Sequence, residues 1–233
     1  GIGTKRIESE LQALFPHASI ARFDSDNKDN ESAHALYDQL YRGDIDIIIG
    51  TQVIAKGLDL PYLRFVGVVQ ADTGLMLPDF ASTERTFQLI SQVIGRVGRS
   101  SHDSHVVIQS YQLGHPAIQA ALKQDYESFY ATTLEERKKG HFPPFSYLLQ
   151  LTNAYKTEAG AITSAKKLAA ILKNKLPKTV EVLGPTPAFY ERINGTYRWQ
   201  ILLKSSRREH LQKALELVPM AHWQADLDPS SLL

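Results

Sequence analysis

The sequence predicts an α/β lobe built on a parallel sheet, followed by a smaller α+β domain. Three observations carry this. Compact apolar runs such as "DIDIIIG" (44–50) and "LRFVGVVQ" (63–70) alternate with helical patterns up to about residue 110, and such alternation implies a parallel sheet covered by helices. The consecutive prolines of "GHFPPFS" (140–146) bar helix and mark a boundary. Beyond them the order changes to βαββαβ, the split arrangement of ferredoxin-like domains. The expected domains are 1–140 and 141–233.

Each element has its own signal. Ile7, Leu11, Leu14 and Phe15 share one face of a helix that Pro16 ends. "SIARFD" is a short strand, and "ESAHALYDQLYRG" a helix closed by Gly43. The runs at 44–50 and 63–70 are strands buried on both faces. "STERTFQLISQVIGR" is a helix, "SHVVIQSY" a strand, and residues 116–139 a helix ending in the charged "EERKKG". In the second domain "SYLLQLTNAYK", "TVEVLG", "YRWQILLK" and "HWQADLDP" are strands; "EAGAITSAKKLAAILKNKL" and "REHLQKALELV" are the two helices.

Composition sets limits. The chain has 233 residues, 43% of them hydrophobic, and a net charge of +1. No apolar run approaches the ~18 residues that cross a bilayer, so no membrane partner is expected. With no cysteine, these residues hold no disulfide and no Cys-type zinc site. The charge is uneven: residues 1–143 hold 14 Lys/Arg against 18 Asp/Glu, and residues 144–233 hold 12 against 7. A basic second part suits a polyanionic partner, and a solvated lysine face gives the same count. The start "GIGTKRIESE" lacks Met and a signal-peptide pattern; the chain is expected to be a fragment of a longer protein.

Two stretches point to phosphate chemistry. In "IIIGTQVIAKGLDLP" (47–61) a strand runs into Gly50-Thr51, where ligands of parallel sheets bind. A hydroxyl and N–H groups there can hold a phosphate. Gly57 admits close backbone approach, and Asp59 can accept from a ribose hydroxyl; a plain turn and cap is the other reading. In "SQVIGRVGRS" (91–100) Arg96 and Arg99 each follow a glycine at a helix end. Guanidinium groups match phosphate oxygens, and such an arginine can stabilise charge developing on a γ-phosphate. Pairing with surface carboxylates is the alternative. No G-x-x-x-x-G-K-[ST] motif occurs anywhere in the sequence, so a phosphate cradle for these arginines must come from elsewhere.

These residues resemble motifs V and VI of superfamily 2 helicases, which lie on the second of two RecA-like lobes. The resemblance is closest to the PriA (primosomal protein N′) family of bacterial replication-restart helicases. It rests on "GIGT", "RGDIDIIIGTQVIAKGLDLP", "ADTGLMLPDFASTERTFQLISQVIGRVGR", "HPAI", "ERKKGHFPPFS", "VLGPTPA", "YRWQILLK" and "DLDPSSLL", and so covers essentially the whole chain.

The resemblance implies a RecA-like lobe 2 followed by a C-terminal DNA-binding domain. It implies ATP and Mg2+ held mainly by another lobe, with zinc only in an upstream region. Arg96 and Arg99 would face the γ-phosphate. Gln92, Gly57 and Asp59 would approach the nucleotide, and Thr4, Thr51, Gln52 and Lys56 the DNA strand. The implied partners are single-stranded and branched DNA, single-strand-binding protein and other primosome proteins, in the bacterial cytoplasm at the nucleoid. Leu58, Leu60 and Ile94 depart from the family's usual His, Phe and Ala.

Outside the motifs, Arg192, Tyr197, Arg198 and Trp199 surround a hairpin. Such residues stack on unpaired bases or form cross-strand pairs; Arg198 is a DNA-binding candidate. The histidines form no ligand cluster, so no metal is assigned. A different class of function, a DNA- and protein-binding module without an essential motor role, fits the same residues, as does another superfamily 2 translocase.

Overall fold

The computed structural model describes residues 3–23, 38–51, 63–97 and 104–233, with Arg96 and Val97 described by their backbone alone. The chain divides into two compact units: residues 1–76 with 84–126, and residues 77–83 with 127–233.

In the first unit, helix α1 (Thr4–Leu14) ends where the Phe15 N–H returns to Leu11 O at 2.8 Å, ahead of Pro16. Strand β1 (Ile20–Phe23) pairs in parallel with β2 (Ile47–Gly50), Ile20 opposite Ile47. The helical residues 38–42 end at Gly43, whose φ of 80° suits glycine. Strand β3 (Phe65–Val68) pairs in parallel with β4 (His105–Ile108). The alternation of helix and parallel strand is the α/β pattern the sequence predicts.

Helix α2 (Ser82–Val97) buries Thr86, Phe87, Ile90 and Val93. Their three- and four-residue spacing makes one apolar stripe, and Gln92 lies exposed outside it. A 3-10 turn (Ala71–Met76) precedes this helix. It approaches so closely that a Cβ on Gly74 would stand 2.6 Å from Thr86 Oγ1. The turn is fixed by Asp72, which is 1% exposed and accepts the Tyr111 N–H at 3.1 Å.

Residues 116–139 form two helices where the sequence pattern predicts one. Helix α3 (Pro116–Lys123) is capped by His115, whose ring accepts the Ala117 N–H at 3.2 Å. It stops at Gln124, which takes the left-handed conformation (φ 54°) and donates back to Ala121 O. Helix α4 (Tyr126–Lys139) follows. The apolar spacing runs through this break, so periodicity alone conceals it.

In the second unit, β5 (Tyr147–Tyr155), α5 (Glu158–Lys175), β6 (Glu181–Ile193), β7 (Thr196–Ser205), α6 (Arg208–Leu215) and β8 (Trp223–Leu227) follow in the predicted βαββαβ order. They form one antiparallel sheet of spatial order β6-β7-β5-β8. One face carries Leu149, Leu151, Ile201 and Leu203, packed with Leu168, Leu172 and Leu211. Each such side chain contributes roughly 1.5–3 kcal/mol by leaving water. Asn153 lies buried beside this core with both side-chain polar atoms bonded: its Nδ2 donates to Ala161 O and its Oδ1 accepts the Trp199 N–H.

Strand β6 runs through Pro185 and Pro187, beyond the predicted "TVEVLG". It lies at the sheet edge, where a residue without an N–H is tolerated. Register shifts between Leu183 and Thr186, and between Pro187 and Arg192, absorb the irregularity.

The opposite face of this sheet carries Gln150, Thr152, Gln200 and Lys204. There Lys204 donates to Gly140 O at 2.7 Å and lies 3.7 Å from the centre of the Phe142 ring. Phe142 stacks on Phe80, and Arg137 lies over Phe80. Burial lowers the Lys204 pKa, partly opposed by the Glu181 carboxylate.

Candidate nucleotide and nucleic-acid site

Both described sheets of the first unit are parallel, so their carboxyl edges are the expected ligand side. Thr51 follows β2 directly and is exposed there. Thr4 opens α1 behind Gly3, whose backbone is extended (φ −70°, ψ 148°) and whose carbonyl accepts the Arg6 and Ile7 N–H groups. A helix start of this kind presents backbone N–H groups to an anion.

Gln92 and Arg96 are four residues apart in α2, and Gln92 is exposed. Arg96 lies in the last turn, with its side chain outside the described residues. A Cβ on Gly95 would meet nothing within 4 Å among the described residues, so packing among them does not require the glycine. Gln52, Lys56, Gly57, Asp59 and Arg99 lie outside the described residues.

In the second unit Arg198 lies on the sheet face opposite the core, half-buried, and among the described residues no carboxylate pairs with it. Arg192 stands over the Tyr197 ring at 5.1 Å. Trp199 alternates to the core side, its indole N–H buried and without a partner among the described residues. Lys166, Lys167, Lys173 and Lys175 form an exposed helix face. Among the described residues no group of three His, Asp or Glu could hold a metal ion, and no helix is long and apolar enough to cross a membrane.

Sequence reasoning missed the buried polar residues Asp72, Asp79 and Lys204. Each serves a partner distant in sequence: Tyr111, Ser231 and Gly140. No local pattern announces such pairings.

Parallel strands with Thr51 at their carboxyl edge and a helix ending in the two-arginine motif belong to a class, the helicase C-terminal lobe, here joined to a smaller α/β domain. Residues 3–101 match the helicase conserved C-terminal domain, and residues 138–230 match the primosomal protein N C-terminal domain. The chain belongs to the PriA family and corresponds to its C-terminal region. It is 38% identical over 234 residues to replication restart protein PriA of Bacillus subtilis, covering 100% of the chain and 29% of that relative. It is 42% identical to the PriA proteins of Synechocystis and of Treponema pallidum, covering 88% of the chain in both and 25% and 31% of those relatives. The chain thus spans less than a third of the length of these curated relatives.

Proposed function

We propose that the chain is the C-terminal part of an ATP-dependent DNA helicase. In this reading the whole protein moves 3′ to 5′ along single-stranded DNA, recognises stalled or branched forks and restarts replication by primosome assembly. The observation that carries it is the arginine motif at the end of α2, in a chain that matches a helicase lobe yet contains no P-loop sequence.

ATP and Mg2+ are held mainly by a P-loop lobe outside these residues. Closure of that lobe brings Arg96 and Arg99 to the γ-phosphate, with Gln92, Gly57 and Asp59 beside the nucleotide. Thr4, Thr51, Gln52 and Lys56 contact the DNA backbone. Hydrolysis releases closure, and alternating grips move the strand. This chain by itself neither hydrolyses ATP nor unwinds DNA. Zinc belongs to an upstream region, the partners are single-strand-binding protein and other primosome proteins, and the setting is the bacterial cytoplasm.

The test is DNA-stimulated ATP hydrolysis by the full-length protein on a forked substrate, wild type beside Arg99→Ala. Arginine fingers contribute on the order of 10³ or more in turnover. A loss of that size with DNA affinity retained supports the motor reading. Unchanged turnover makes the arginine motif structural and leaves a DNA- and protein-binding module.

A further inference from the structure

On the face of the second unit's sheet opposite its core lies a small cavity of 130 Å³, open on one side and lined by Gln150, Gln200, Arg198, Asp226 and Tyr190 among others. An engineered cavity of about 150 Å³ takes up one benzene molecule, so the space suits a single planar ring. We infer that this cavity binds one unpaired nucleotide of single-stranded DNA, its base stacked on Tyr190 and its edge read by Asp226 and the glutamine pair. The inference rests on the nucleic-acid-binding part of the proposed function and names a site for it.

Four features select this ligand. Tyr190 is 57% exposed and meets Phe189 edge-on, with ring centroids 5.0 Å apart. An aromatic face turned to solvent beside a cation is the platform on which unpaired bases stack. Arg198 and Asp226 line the same cavity, yet among the described residues neither has an ion-pair partner. A cation and an anion that leave each other unpaired suit a ligand carrying both an anionic group and amino donors.

The glutamines are preset. Gln150 Nε2 donates to Gln200 Oε1 at 2.9 Å and to Leu232 O at 3.1 Å. Gln150 Oε1 and Gln200 Nε2 remain as an acceptor beside a donor, the pairing that a base edge presents. Asp226, an acceptor only, favours a base with an exocyclic amine such as cytosine over thymine. It also disfavours a ligand that offers nothing but phosphate. In a duplex the faces are stacked and the Watson–Crick edges paired, so a base held on Tyr190 requires a single strand.

The experiment uses the 233-residue chain and short fluorescently labelled strands, read by anisotropy: oligo-dC, oligo-dT and an abasic strand of equal length and charge. The expected order is dC tighter than dT, with the abasic strand weakest. Tyr190→Ala should weaken dC binding at least about fivefold, the lower end of what one stacked base contributes, while Tyr190→Phe retains it. Asp226→Ala should narrow the preference of dC over dT. Abasic and dC strands bound equally, with Tyr190→Ala silent, would overturn the pocket and leave phosphate binding intact. Failure of every strand to bind would overturn the DNA-binding reading of this chain as well.

Discussion

The carboxylate of Asp79 accepts the hydroxyl hydrogen of Ser231, a residue 152 positions later in the chain. The same carboxylate accepts the N–H of Leu232 at 3.3 Å and that of Ala81 at 2.9 Å. Asp79 is only 8% exposed, so this charge depends on its donors. The contact ties residues 77–83, which lead into α2, to the closing residues of the second unit.

Asp79→Ala should therefore destabilise the second unit by about 2 kcal/mol, within the range for hydrogen bonds to a charged acceptor. Thermal melting should fall by several degrees, and Ser231→Ala should cost less because Leu232 and Ala81 still donate. A double-mutant cycle isolates the pair. If Asp79→Ala melts like wild type, the clasp contributes nothing.

Asp72 gives a pH dependence of known sign. The Ser110 hydroxyl and the Tyr111 N–H hold its carboxyl below the ordinary value of 3.8, against the opposing effect of burial. A depressed folded pKa contributes stability that is complete above the unfolded value and is lost as pH falls through the folded one. The stability gap between wild type and Asp72→Asn should be constant near neutrality and shrink once the pH passes below 3.8. Denaturant melts across an acid series would show it. A gap independent of pH would mean that the carboxylate's charge plays no part.

Strands were legible wherever side chains alternate over a half-buried sheet. In β5, Leu149, Leu151 and Asn153 point to the core while Gln150 and Thr152 do not. Two features were hidden for physical reasons. Gln124 breaks a helix through a left-handed residue that is neither Gly nor Pro, and β6 continues past prolines because an edge strand can spare their N–H groups. For the candidate site, the sequence placed Thr4 at a helix start, Thr51 at a strand end and Gln92 and Arg96 on one helix. It did not foresee the cavity around Tyr190, because that assembles from β5, β6, β7, β8 and the closing residues.

Gly95 separates a packing role from a functional one. It is exposed within α2, and a methyl there meets no neighbour among the described residues. Gly95→Ala should stabilise this chain by up to about 1 kcal/mol through helix propensity alone, raising its melting temperature by a few degrees. If, as proposed, a nucleotide-bearing lobe closes on Arg96, the same substitution in the full-length protein should lower DNA-stimulated ATP hydrolysis at least about tenfold, because the added methyl stands one residue from that arginine. Raised stability with unchanged hydrolysis would show that nothing approaches the glycine.

Gly184 controls where Tyr190 is held. Its φ of 92° lies where side-chain-bearing residues are strained, and a Cβ would stand 3.0 Å from Gln200 O and 3.1 Å from Thr186 N. Both contacts are backbone atoms, which cannot rotate away. Gly184→Ala should cost about 1–3 kcal/mol, the range for a residue forced into a sparsely populated region. The damage should extend along β6, because the register shift between Leu183 and Thr186 begins beside this glycine and sets the course of the strand to Tyr190. Hydrogen exchange should quicken at the β7 amides opposite Leu183 and Thr186, and dC binding should weaken with it. Faster exchange with unchanged dC affinity would place the stacking ring outside the reach of this edge, and Tyr190 would then owe its position to the β6–β7 turn alone.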